Sequence, residues 1–419
     1  MLTPFFKLDQ TEEYVIIDIR APNANLRDAE IDFCDKIFLF SAAPYFLRLY
    51  LPGYVGLFEK SSSDYDADTG TFKIKVPKQN KGEHFKDLEM LSQLLKPQRP
   101  TGQSNVEELE DEVEGVLTDQ KVPETEVAPN SEEIKKFGYG FGWSKLGIMK
   151  KFGEEVEDLF DIRNPDEIEM SERDDVMVKH DEKAFNSEHY LADLFDVPDE
   201  LESILKELLP TSIYTFNDED RLILKDLKVI KLKSFTKEEH VSILYSLIDI
   251  LYSYLMELRI NSFELNVQSD IMIGNVSPSI SNFVKFTSMK QALTATVRRV
   301  LCLSLYRNFE LCRRVLEDLV TVVKQGKSAL LHCLLTLRKR FYNSSQEFIY
   351  LFNQLFIDDY CIYIQVVDDK LFDDAMDELL NIKTLQKADI DELDLDYIET
   401  EAKMIMLKVE NGEYDSDDN

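Results

Sequence analysis

The chain has 419 residues and a formal net charge of −32. That length allows two or three domains with real cores. Hydrophobic residues at 44 % and aromatics at 11 % exclude a wholly disordered protein, and the negative field opposes nucleic acid and anionic lipid while favouring basic protein partners.

The N-terminus, MLTPFFKLDQTEE, carries acid within ten residues and has no basic n-region, so no secretory leader is expected. Residues 1–96 read as strands. In YVIIDIR, Val15, Ile17 and Ile19 share a face; in DAEIDFC, Ala29, Ile31 and Phe33 oppose Asp28, Glu30 and Asp32; in TFKIKV, Phe72, Ile74 and Val76 oppose Lys73 and Lys75. Period-2 patterning cut by Pro, Gly and Asn predicts about seven antiparallel strands and a β-sandwich. In APYFLRLYLPG, Tyr45, Leu47, Leu49 and Leu51 form the inward face, which leaves Phe46, Arg48 and Tyr50 outside as candidate partner contacts. Ordinary cross-strand pairing on a solvated sheet gives the same pattern and is the commoner case. Phe6 and Gln10 share parity with Leu8 near the end of the first strand and join the surface candidates.

Residues 97–133 are rich in Pro, Gly and carboxylates, so an acidic tether is expected between two independently moving domains. FGYGFGWSKLG (137–147) alternates glycines with Tyr139, Phe141 and the single Trp143. Lys145 is followed by Leu146, so no P-loop forms, and no buried strand precedes the glycines as a dinucleotide site requires. The expected role is close packing of three rings at a domain entrance. From 134 to 408 the pattern is helical. Leu244, Leu247, Ile248, Leu251, Leu255 and Leu258 make one stripe, and further stripes in 289–306, 309–323, 328–340 and 345–357 predict an all-α domain of about ten helices. The apolar run 241–258 contains Asp249 and Glu257, which fits a core helix rather than a membrane span. RLILKDLKVIKL (221–232) is ambiguous, and 409–419 is an acidic tail.

Five cysteines form no C-x-x-C pair, which predicts a reducing compartment and buried thiols. The five histidines stand apart, with no metal spacing and no H-E-x-x-H or G-x-S-x-G. Neither metal nor cofactor is expected, and no nucleophile with its base is visible, so the chain reads as a non-enzyme. Residues 285–340 concentrate twelve Lys or Arg against three acids. They could form a phosphate-binding face, but pairing with acidic helices of the same domain is the stronger reading. The acids of 166–175, together with Asp358, Asp359 and Tyr360, are candidates for facing a basic partner.

MLTPFFKLDQ, SAAPYFLRLYLPG, KFGYGFGW, DLFDIRNPDEI and FIDDYCIYIQ, in this order, resemble the SHQ family of H/ACA ribonucleoprotein assembly chaperones. The resemblance covers both domains but not the linker or tail. It implies a CS domain related to small heat-shock proteins, then a family-specific helical domain. It also implies a dedicated chaperone that holds a dyskerin-type pseudouridine synthase and covers its RNA-binding surface, with nuclear residence following from that role and the cytoplasm open as a second location; a monomer is expected. A different reading is a general cochaperone adaptor whose CS domain recruits an ATP-dependent heat-shock chaperone.

Overall fold

The computed structural model describes residues 4–21, 29–42, 45–66, 70–90, 94–95, 131–151, 156, 159–227, 232–346, 349–382 and 385–411. The linker and tail expectations fall almost wholly outside these residues. The exceptions are 131–133, which already belong to a helix, and 409–411.

The N-terminal domain has seven strands in two sheets. One has the order β1 (Phe5–Gln10), β2 (Tyr14–Arg20), β7 (Thr71–Pro77), β6 (Ser62–Asp66); the other runs β3 (Glu30–Cys34), β4 (Ile37–Ala42), β5 (Tyr45–Tyr50). All pairings are antiparallel, with Ile17 opposite both Leu8 and Ile74, so the inward residues of three strands stack at one level. Val15, Ile17, Ile19, Phe38, Phe40, Leu47, Leu49, Ile74 and Val76 fill the space between the sheets. Alternation located this core because each strand buries one face only.

Phe6, expected as a surface candidate, is 4 % exposed and belongs to this core. Its parity with Leu8 decides the matter, since both face the second sheet. Gln10 is a structural clasp. Its Nε2 donates to the Phe85 carbonyl at 2.6 Å, while its Oε1 accepts from Phe85 N at 2.8 Å and Lys78 Nζ at 2.9 Å. Four thiols are buried as expected, but Cys34, at the end of β3, is exposed.

The C-terminal part has about fourteen helices, more than the stripes predict. The first five are α1 (Ser131–Phe137), α2 (Arg173–Ala184), α3 (Ser187–Phe195), α4 (Asp199–Lys206) and α5 (Asp218–Asp226). Next come α6 (Lys237–Ile260), α7 (Ser269–Val276), α8 (Pro278–Ser281), α9 (Met289–Leu303), α10 (Phe309–Val323) and α11 (Lys327–Tyr342). Helix α12 covers 350–366 with a π turn at Asn353–Ile357, followed by α13 (Asp369–Asn381) and α14 (Leu395–Glu410). The ambiguous segment 221–232 is helical to Asp226. Short polar helices such as α2 to α5 offer too few periodic positions to stand out.

Helix α6 is the axle. A capping box at Thr236 and Glu239 opens it. The sequence predicts one apolar stripe, but Ser242–Arg259 is buried on every side because α9, α10, α11 and α13 surround it. Among the described residues it is the one helix long and apolar enough to cross a membrane, and 94 % of that window is buried in the fold. The two domains touch where β1 lies against α5, with Lys7 Nζ 3.5 Å from Asp218 Oδ1. The expectation of independent movement therefore meets a contact.

Candidate partner-binding surface

The glycine–aromatic stretch folds as an anchor, not as a phosphate cradle. Tyr139 and Lys145 form an antiparallel bridge, and Phe141–Trp143 makes a single tight turn. The Phe141 ring sits in an aromatic nest, 4.8 Å from Tyr360 and 5.4 Å from Tyr363. The Tyr139 hydroxyl accepts from the N–H groups of Ile148 (2.7 Å) and Met149 (2.9 Å), and burial pushes its pKa up to about 12. A Cβ at Gly138 would lie 2.1 Å from the Trp143 carbonyl oxygen and 2.4 Å from that of Ile134. Gly138→Ala is therefore expected to cost about 2 kcal/mol or more. Urea unfolding of the full chain checks this; a variant as stable as the parent would show that the loop yields freely.

Arg173 ties this loop to the rest. It is fully buried and faces carbonyls rather than a carboxylate. Nη1 donates to Gly138 O (2.8 Å) and Phe283 O (3.2 Å), and Nη2 donates to the carbonyls of Phe137 (2.8 Å), Pro165 (2.9 Å) and Ile168 (3.3 Å). Burial lowers its pKa to about 10, so it stays charged at neutral pH.

The basic segment 285–340 is largely ion-paired, with Arg298, Arg299 and Lys327 buried. Arg299 reaches Asp181 (2.8 Å) and Asp161 (2.6 Å), and Arg298 reaches Asp181 (3.0 Å) and Glu392 (2.6 Å). Arg338 pairs with Asp358 (2.6 Å), Arg340 with Asp270 (2.5 Å), Lys290 with Asp389 (2.6 Å), Lys327 with Asp369, and Lys339 with Glu219. Arg313 and Arg314 pair along α10 with Glu310 and Glu317. Phosphate binding would have to break these pairs, so this segment is scaffold. The outer side of the domain carries acid instead: Asp373, Asp374 and Asp377 on α13, Asp199, Glu200 and Glu202 opening α4, and Glu167, Glu172 and Asp175 around the start of α2 are exposed.

Three sequence candidates lie inside this scaffold. Asp359 is 5 % exposed and accepts from Lys145 Nζ at 2.7 Å; Tyr360 is 2 % exposed and donates to the Ile243 carbonyl at 3.2 Å. Asp358 is half-buried in its pair with Arg338. These corrections have one cause: α12 packs against α11 on one side and the axle on the other, so its acids serve to fix the helix. Phe46, Arg48 and Tyr50 do lie on the outward face of β5. Arg48 is exposed, and its guanidinium stands 5.9 Å from the Phe46 ring.

Chemistry beyond binding has little support in these side chains. Burial pushes the thiols of Cys302, Cys312 and Cys333 up to about 12, so none is a nucleophile at neutral pH. His332 has both ring nitrogens engaged, Nδ1 with Asp220 (2.7 Å) and Nε2 with the Ser212 carbonyl (3.1 Å). Among the described residues no group of three His, Cys, Asp or Glu could hold a metal. Arg173 and Asp181 are structural centres that sequence reasoning did not single out, and Asp249 is a third, named there only as evidence for a core helix. Only Asp249 carries a signal, a carboxylate inside an apolar run.

The chain is thus a β-sandwich followed by a helical domain with an acidic exterior and a largely ion-paired interior. Family comparison makes this specific. Residues 3–95 match the model described as SHQ1-like, CS domain, and residues 207–394 match that of SHQ1 protein, Shq1 domain. The chain is 37 % identical over 435 aligned positions to the protein SHQ1 homolog of Caenorhabditis elegans, covering 100 % of this chain and 99 % of that protein. It is 32 % identical to the protein SHQ1 homolog of Mus musculus over 98 % of this chain and 77 % of that one. It is 27 % identical to the protein shq1 of Schizosaccharomyces pombe, covering 88 % and 90 % of the two chains. The chain belongs to the SHQ1 family.

Proposed function

We propose that this protein is a non-catalytic assembly chaperone in H/ACA ribonucleoprotein biogenesis. It binds the free dyskerin-type pseudouridine synthase in the nucleus, covers its RNA-binding surface and gives way to guide RNA. Membership of the SHQ1 family supports the assembly role, and no catalytic family is indicated. The observation that carries the shielding role is the distribution of charge. Twelve basic residues in 285–340 are largely tied to acids of the same domain, while carboxylates of α2, α4 and α13 point outward. Such a surface meets a basic RNA-binding surface favourably and repels RNA itself, so the two ligands compete for one site.

Size-exclusion chromatography of the full-length chain with the synthase tests this reading. A 1:1 complex is expected, and it should fail to form when the synthase is first loaded with guide RNA. Co-elution of all three components in one stable particle would contradict the shielding role.

A further inference from the structure

Helix α14 outruns the domain that supports it. Its first turns are seated: Leu395 is 1 % exposed, and buried Glu399 accepts from the Tyr190 hydroxyl at 2.6 Å and pairs with Lys387. Ile398 and Ala402 continue this half-buried face. At helical spacing the same stripe runs on through Ile405, Met406 and Val409. These three, with Met404 and Leu407 beside them, are between 43 and 58 % exposed. The stripe that packs at the start of the helix thus continues beyond the domain's edge for roughly 10 Å, at 1.5 Å per residue. Five large apolar side chains within six residues exceed the scattered exposure of an ordinary surface.

We infer that residues 404–409 are a docking helix, which seats Ile405, Met406 and Val409 in an apolar groove on a basic protein. Charge selects the partner. Beyond Asn411 the sequence adds Glu413, Asp415, Asp417 and Asp418, and the C-terminal end of a helix is itself the negative pole. A groove bordered by Lys and Arg would match both features, whereas a second copy of this chain, at −32, would be repelled. Helix-in-groove recognition reads anchors at i, i+3, i+4 and i+7 of one apolar face, the spacing of Ala402, Ile405, Met406 and Val409, and methionine adapts to an irregular pocket.

The probe follows from the function proposed above, on which this inference rests: the dyskerin-type synthase. Its affinity for the full-length chain and for Ile405→Asp/Met406→Asp/Val409→Asp is measured by calorimetry, with thermal melting of each chain and the mass of each alone in solution. The expected result is a loss of about 30-fold or more in affinity, with melting unchanged because the overhang supports nothing in the fold. Should the triple variant melt lower, Met406→Asp alone is read in the same way. Parental affinity in the variant would overturn the docking helix and leave the proposed function standing. Failure of the parent chain to bind would remove both. A parental dimer that the triple variant abolishes would overturn the inference in favour of self-association.

Discussion

Arg173→Met is expected to destabilise the helical domain by about 3–5 kcal/mol, within the cost of breaking a buried charged network. Methionine keeps much of the stem volume but withdraws the donors from five carbonyls, those of Phe137, Gly138, Pro165, Ile168 and Phe283. These acceptors come from three separate stretches of chain, which are also held by Asp166 Oδ1, accepting from Gly147 N (2.7 Å), and by the Tyr139 ring, 5.2 Å from that of Phe283. Loss of the guanidinium loosens the glycine–aromatic loop from the 165–168 turn and from the segment after α8, because five buried carbonyls lose their donor together. In a domain of this size the expected fall in Tm is roughly 10 °C. Arg173→Lys should recover less than half of it, because an ammonium cannot present two parallel pairs of donors. Thermal and urea unfolding of the full chain measure both variants. If Arg173→Met melts within about 2 °C of the parent, the carbonyl cluster is satisfied by other means and Arg173 is not the tie.

The N-terminal sandwich was legible because each strand alternates, and Phe72, Ile74 and Val76 are buried where parity puts them. The same parity placed Phe6 inside, and treating it as a surface residue set position near a strand end above the pleat. The axle was visible as apolar but not as central. Period analysis detects one wet face, and α6 has none between Ser242 and Arg259. The pairing of the basic segment followed from charge alone. Its partners did not, since Asp161, Asp181 and Asp270 lie far from their arginines in sequence and in no pattern that spacing reveals. Arg173 sits in an acidic run, SERDD, where local reading assigns it to a solvated face. Only tertiary contact turns it inward.

These buried pairs also bear on how an acidic chain holds its fold. With Asp181 between Arg298 and Arg299, and Asp318 gripping Arg259 at 2.5 and 2.9 Å, the interior balances its charge locally. The excess of acid is left to the surface, where solvation makes it cheap and a basic partner can use it. Among the described residues, Asp249 and Glu257, both on the axle, are buried carboxylates held by neutral groups instead.

Asp249 has hydroxyl and amide neighbours in place of a cation. Its Oδ2 accepts from Ser277 Oγ (2.7 Å) and Ser279 N (2.9 Å), and its Oδ1 contacts Thr296 Oγ1 (2.7 Å). Thr296 Oγ1 also lies 2.8 Å from the Ala292 carbonyl, so one hydroxyl proton faces two acceptors. A proton on Oδ1 resolves this, since the acid donates to Thr296 and Thr296 donates to Ala292. Desolvation pushes the Asp249 pKa up to about 6, and it pushes that of Glu257 up to about 7. An acid that holds its proton more tightly in the folded chain makes stability fall as pH rises between its ordinary value and the raised one. The windows are 3.8 to about 6 for Asp249 and 4.5 to about 7 for Glu257. Two pKa units correspond to ~3 kcal/mol for Asp249, fully lost above the window. Asp249→Asn places a permanent donor opposite Thr296 and keeps an acceptor for Ser277 and Ser279. It is expected to be more stable than the parent near pH 7.5 by ~1–3 kcal/mol and to gain less on acidification to pH 5. Urea unfolding at both pH values decides it: a variant weaker at pH 7.5, or one with the parent's pH slope, would mean that Asp249 is held as a carboxylate.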